Sequence, residues 1–218
     1  MALLELSNIS YIVKDKSIIC DVSLSVNQGD YITIVGPSGS GKSTLLKLCS
    51  DLISPTSGTI TYNGRPLTAI DPESYRREVG YCFQRPYLFA KTVRRNILFP
   101  YDIRGLKPDM SRIEYLFDLL HMPLNYMERR NDELSGGEMQ RICLIRSLIF
   151  EPKVLLLDEV TSALDATNTS IVEHVIDELH KKGITIISIT HNEEQSLRTA
   201  NRRITIVDGQ LAKEEVLR

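Results

Sequence analysis

The chain has 218 residues, with 26 Lys and Arg against 28 Asp and Glu for a formal charge of −2, and 42% of it is hydrophobic. That balance suits one α/β domain with a sizeable core, and the absence of a long basic run argues against a nucleic-acid partner. No apolar run approaches the roughly 18–20 residues of a membrane helix. The start, Met1-Ala2-Leu3-Leu4-Glu5, reaches an acid without a basic leader, so no signal peptide is expected. Cys20, Cys49, Cys82 and Cys143 are scattered and form no C-x-x-C pair, which points to free thiols in a reducing cytosol.

The first 30 residues read as strands. Leu4 and Leu6 alternate with Glu5 and Ser7, and Val22, Leu24 and Val26 alternate with Ser23, Ser25 and Asn27. Tyr11 is expected in a loop between them, where an aromatic ring could stack on a nucleotide base or simply pack. A turn at Asn27-Gln28-Gly29-Asp30 precedes the β-branched run Tyr31-Ile32-Thr33-Ile34-Val35. Then comes Gly36-Pro37-Ser38-Gly39-Ser40-Gly41-Lys42-Ser43-Thr44, which fits the phosphate-binding P-loop, G-x-x-x-x-G-K-[ST]. The apolar pattern Leu45-Leu46-Lys47-Leu48 supplies the helix that the motif needs after its strand.

The chemistry accounts for the residue types. Glycines let the backbone wrap phosphate oxygens, and the inward N–H groups make an anion nest. The helix start adds free amides and the positive end of its dipole. Lys42 is expected to contact the β- and γ-phosphates and the Ser43 hydroxyl to hold Mg²⁺.

Farther on, Ser54 to Gly58 is a turn cluster, Asn63-Gly64 a hairpin turn, Pro72 to Glu78 a short helix and Val79 to Phe83 a buried strand ending at Gln84. Residues 85–133 carry Pro86, Pro100, Pro108 and Pro123, with Ile113, Leu116, Phe117 and Leu120 at helical spacing. They read as part of a mainly helical subdomain, 85–150, inserted into an α/β core of 1–84 and 151–218. Pro86-Tyr87-Leu88-Phe89 at its entrance is either core or an exposed docking patch.

Leu134-Ser135-Gly136-Gly137-Glu138 opens a helix running to Phe150, with Ser135 as N-cap and Ile142, Ile145 and Ile149 on one face. The glycines could admit a phosphate, although a bare Ser-Gly-Gly is equally a helix-start turn. Val154-Leu155-Leu156-Leu157 leads into Asp158-Glu159, a Walker B pattern: Asp158 suits Mg²⁺, and Glu159 suits a general base that polarises water. A helix from Ala166 to Lys182, burying Ile171, Val172, Val175, Ile176 and Leu179, closes at Gly183. The strand Ile184 to Ile189 delivers Thr190 and His191 to the edge of the sheet where ligands bind. A short helix near Glu193 to Thr199, a strand from Arg203 to Val207, the turn Asp208-Gly209 and a last strand complete the chain.

This ordered set resembles the ATP-binding subunit of ABC transporters over essentially the whole chain. Its most specific part is Leu134-Ser135-Gly136-Gly137-Glu138-Met139-Gln140-Arg141, similar to the family's signature. Tyr11 matches the A-loop aromatic, Gln84 the Q-loop, Ser162-Ala163-Leu164-Asp165 the D-loop and His191 the switch histidine. Met139 and Asn192 stand where many members have a polar residue and Asp.

The resemblance implies a P-loop NTPase core with a RecA-like, mainly parallel sheet, an N-terminal antiparallel β subdomain and the helical insertion. It implies ATP and Mg²⁺, bound in a head-to-tail dimer, most simply of two identical copies. Each ATP would lie on one copy's P-loop and under the other's Ser135 and Gly137. Gln84 would sense the γ-phosphate and Mg²⁺, His191 would help position water and Asp165 would link the two sites. The motor would need a separate membrane permease, which places it on the cytoplasmic side of the membrane.

Four shorter stretches, Leu52 to Gly58, Tyr81-Cys82, Thr92-Val93 and Leu98-Phe99-Pro100, are similar to the ATP-binding subunit of a bacterial iron exporter. Two other readings compete: a soluble ABC ATPase of repair or translation, and a nucleotide-binding regulator without turnover. The short chain with one copy of each motif disfavours the first. Lys42, Asp158, Glu159 and His191 disfavour the second.

Overall fold

The computed structural model describes residues 2–190 and 199–217. The period-two pattern at the N-terminus produces β1 (Leu4–Val13) and β2 (Lys16–Val26), an antiparallel pair whose Leu4, Leu6, Val22, Leu24 and Val26 are buried. Lys14 and Asp15 have φ of 47° and 64°, the two positive values that a tight two-residue hairpin turn requires. Because the hairpin closes there, Tyr11 lies within β1 opposite Ile19 rather than in a loop. β4 (Ser57–Tyr62) and the two-residue β5 (Arg65–Pro66), joined at Asn63-Gly64, complete a sheet of order β2-β1-β4-β5.

The second sheet has the order β10-β9-β3-β8-β7-β6. β3 (Tyr31–Val35), β6 (Val79–Cys82), β7 (Val154–Asp158), β8 (Thr185–Ile189) and β9 (Arg202–Val207) are parallel, and β10 (Gln210–Val216) pairs antiparallel to β9. Every residue of β7 and β8 is buried, as expected of parallel strands covered on both faces.

The strands send alternate side chains into two cores. Tyr31, Leu155, Leu157 and Ile186 face one, while Ile32, Ile34, Val154, Leu156 and Ile187 face the other. The second core also holds α1 (Lys42–Cys49), through Leu45, Leu46 and Leu48, and the inner face of the four-stranded sheet. The P-loop helix is thus clasped between the two sheets.

The first core holds α6 (Ala166–Lys181) and the helices of residues 85–150: α3 (Val93–Asp102), α4 (Met110–Leu119) and α5 (Gly136–Leu148). Ile113, Leu116, Phe117, Leu120, Ile142 and Ile145 pack in one continuous cluster with Leu155 and Leu157 of the sheet. The helical insertion therefore shares its core with the sheet. α2 (Pro72–Glu78) falls where Asp71 can cap it, its side chain accepting from Ser74 N–H, with proline at the first helical position.

Small differences from the sequence reading have local causes. α5 ends at Leu148 rather than Phe150. Ile171 is half-buried because it lies at the margin of the apolar stripe of α6. That helix closes on Gly183, whose N–H donates to the His180 carbonyl (2.8 Å) while Ile184 N–H donates to Leu179 (3.2 Å). The short helix expected near Glu193 to Thr199 falls almost wholly outside the described residues. Among the described residues no helix is long and apolar enough to cross a membrane.

Phe117 is 1% exposed within the shared core. Phe117→Ala is expected to lower the free energy of unfolding by about 3–5 kcal/mol in urea titrations. A loss below about 1 kcal/mol would contradict the shared core.

Candidate nucleotide site

β3 ends at Val35, and the chain curls through the loop before α1 begins at Lys42. Gly36 has φ of 142°, and a Cβ there would lie 2.0 Å from the Ile206 carbonyl oxygen. Gly41 has φ of 101°, with its Cβ position 2.7 Å from the Ile18 carbonyl oxygen. Neither place accepts a side chain. The start of α1 has no side-chain cap, so no side chain competes with an anion for its first amides.

The resulting cavity, about 300 Å³, is lined by Ile18, residues 38–44, Gln84 and Glu159. Buried Lys42 donates from Nζ to the carbonyls of Gly36 and Pro37, each at 2.8 Å. Burial pulls its pKa below the ordinary lysine range, while the carboxylates of Glu159 and Asp158 pull the other way.

β7 delivers the two acids in different ways. Asp158 is buried, and its Oδ1 accepts from the Ser43 hydroxyl at 2.8 Å. Its Oδ2 accepts from the Tyr81 hydroxyl at 2.7 Å. Burial pushes the Tyr81 phenol well up, and the Asp158 carboxylate adds to that. Glu159, just past the strand, has φ of 49°, an uncommon conformation for a side-chain-bearing residue and one that clusters at active sites. Its Oε2 accepts from Gln84 Nε2 at 2.6 Å. Ser43 and Asp158 form an all-oxygen donor pair of the kind Mg²⁺ takes. Gln84 stands one residue away along the chain of contacts, through Glu159.

Other expected site residues lie elsewhere. Ser135, Gly136 and Gly137 start α5, outside the lining of the P-loop cavity. Ser135 Oγ accepts from Glu138 N–H (3.3 Å), and Glu138 Oε2 accepts from Ser135 N–H (2.7 Å), a capping box that leaves the serine proton to donate. Ser135 and Gly136 are exposed, and a Cβ on Gly137 would lie 3.3 Å from Leu164 Cδ2, so the signature and Ser162 to Asp165 adjoin. Asp165 caps α6 by accepting from Asn168 N–H at 2.7 Å. Tyr11, half-buried, is paired with Ile19, the neighbour of cavity-lining Ile18. His191 lies outside the described residues.

Sequence reading overlooked Tyr81 as part of the site. The signal was a hydroxyl-bearing residue within an otherwise apolar strand, next to its last residue.

Fold and site together define a P-loop nucleotide hydrolase in which the glycine-bearing start of α5 lies apart from the P-loop cavity. The ABC transporter family model matches residues 19–162. The chain is 42% identical over 205 residues to the probable iron export ATP-binding protein FetA of Escherichia coli (strain K12), covering 94% of this chain and 91% of that protein. It is 40% identical over 212 residues to the lipoprotein-releasing system ATP-binding protein LolD 1 of Chlorobium chlorochromatii (strain CaD3), covering 93% and 85%. It is also similar to the dimeric, post-hydrolysis structure of the ATP-binding cassette MJ0796 bound to ADP and Pi. There the TM-score is 0.89 and the identity 26%, over 99% of both chains. The chain belongs to the ABC transporter family and is an ATP-binding ATPase of that family.

Gly41→Ala is expected to weaken ATP binding at least ~10-fold, equivalent to ~1.4 kcal/mol, in titrations with a fluorescent ATP analogue. Affinity close to wild type would contradict the loop geometry.

Proposed function

We propose that the chain is the ATP-hydrolysing motor subunit of a transporter, working as two identical copies beneath a separate membrane permease. One observation carries this reading. The glycine-rich P-loop cavity and the exposed start of α5, with its Ser135 hydroxyl and two glycines, do not share a cavity within one chain. A second copy, turned head to tail, would bring its Ser135 hydroxyl and the amides near Gly137 to the γ-phosphate. The dimeric cassette at 26% identity supports that arrangement.

Within each site, residues 36–44 wrap the phosphates and Lys42 meets the β- and γ-phosphates. Tyr11, one strand away from Ile18, offers its ring to the base. Ser43, Asp158 and Gln84 would hold Mg²⁺, which would supply positive charge against the phosphates. Gln84 holds Glu159, which takes a proton from the attacking water, with His191 positioning that water. Asp165, beside the signature helix, would carry the state of one site to the other. Cleavage removes the γ-phosphate bridge between copies, and the dimer opens. Residues 85–150 would then move with the signature about Gln84 as hinge.

The permease would dock in a groove of about 300 Å³ lined by Phe83, Tyr87, Phe89, Phe99, Ile103 and Phe150, with Arg76, Arg77, Arg104 and Arg146 on its walls. Tyr87 and Ile103 are 69% and 58% exposed, a degree of apolar exposure that suits a partner helix bearing an acidic residue. Within Pro86-Tyr87-Leu88-Phe89 the docking role falls to Tyr87 and Phe89, because Leu88 packs against the shared core. Such docking places the subunit on the cytoplasmic face of the membrane. Metal export, with iron first, is the cargo that the resemblance to the E. coli protein favours.

Glu159→Gln should lower steady-state ATP hydrolysis by about 100-fold or more while ATP still binds. Hydrolysis at the normal rate would remove Glu159 as the base. For docking, the tagged chain purified from detergent-solubilised native membranes should bring down a multi-span membrane protein in equal amount, and Phe99→Asp should lose it. Recovery without any membrane protein, or undiminished capture by Phe99→Asp, would overturn the docking assignment.

A further inference from the structure

Asp158 is 4% exposed, and each of its carboxylate oxygens serves a different hydroxyl on a different element: Ser43 of α1 at 2.8 Å and Tyr81 of β6 at 2.7 Å. Tyr81 belongs to none of the motifs that carry the ATPase. Its position is nonetheless well fixed. β6 runs parallel beside β7, with Tyr81 in register with Leu156, and the Tyr81 ring meets Phe83 edge-on at 4.6 Å and 62°.

We infer that Tyr81 is a positioning residue that holds the Asp158 carboxylate with one oxygen toward Ser43 and the other turned away, so that Asp158 offers a metal ion a single oxygen and thereby favours Mg²⁺ over Ca²⁺. The inference rests on the reading of Ser43 and Asp158 as the Mg²⁺ site. Two oxygens of one carboxylate chelate an ion only when both point at it, and here they are drawn to donors on separate elements. Mg²⁺ is small and demands near-octahedral geometry, whereas Ca²⁺ readily takes a carboxylate through both oxygens and accepts more ligands. Groups that orient a metal ligand from behind typically contribute 10- to 100-fold to metal affinity.

The test is Mn²⁺ binding, read by loss of the free-ion electron paramagnetic resonance signal, to the full chain saturated with ADP, with Mg²⁺ and Ca²⁺ as competitors. Tyr81→Phe keeps the ring against Phe83 and removes only the hydroxyl. It should weaken Mn²⁺ binding about 10- to 100-fold and raise the effectiveness of Ca²⁺ relative to Mg²⁺, with ADP affinity in EDTA unchanged. Phe83→Leu, which disturbs the ring packing and spares the hydroxyl, should keep wild-type Mn²⁺ affinity. Unchanged Mn²⁺ affinity and ion preference in Tyr81→Phe would overturn the inference and leave the metal site standing. Equal weakening by Phe83→Leu would overturn it too, by assigning the effect to packing. Failure of the wild-type ADP complex to bind Mn²⁺ would overturn the metal site itself, and the inference with it.

Discussion

Two backbone carbonyls, those of Ile206 and Ile18, press so closely on Gly36 and Gly41 that no side chain fits at either place. Ile206 belongs to β9 of the six-stranded sheet and Ile18 to β2 of the four-stranded one. The phosphate loop is therefore set at the junction of the two sheets. The turn between β9 and β10 fastens the same joint: Gly209 N–H donates to Ser40 (3.0 Å), and Cys20 N–H donates to Gly209 (2.8 Å). Such a clamp fixes the direction of the loop amides before any ligand arrives, which lowers the ordering cost of binding.

From that fixed loop the acids are placed by strand pairing. β7 lies between β6 and β8, and its last residue, Asp158, meets Ser43 at the start of α1. β6 contributes twice. Tyr81 reaches Asp158, and Gln84, just beyond the strand, reaches Glu159. The strand also runs along the apolar groove proposed for the permease, since Tyr81, Cys82 and Phe83 line it. A displacement of the strand by a docked partner would be felt by both acids, and in the proposed transporter it would give transport and hydrolysis a short physical connection.

Much of this was legible in the sequence wherever local chemistry decides the outcome. Pro72 to Glu78 read as the short helix that became α2, Ser135 marked the start of α5, and the unbroken apolar run before Asp158 marked β7. The P-loop was legible because glycine spacing reports contacts that only glycine survives. What stayed hidden depends on lateral neighbours. Tyr11 was misplaced because the Lys14-Asp15 turn carries no glycine to announce it. Leu88 and its neighbours Tyr87 and Phe89 look equally apolar, and only tertiary packing turns the first inward and the others out. Tyr81 became part of the site only once β6 and β7 were paired.

In the proposed dimer, the α5 start of one copy completes the P-loop of another. Sedimentation velocity of the Glu159→Gln chain with ATP, with and without a second substitution, Ser135→Arg, is the deciding measurement. Glu159→Gln with ATP should sediment as a dimer, and with Ser135→Arg added as a monomer that still binds ATP. A doubly substituted chain that dimerises with ATP as fully as its parent would contradict it.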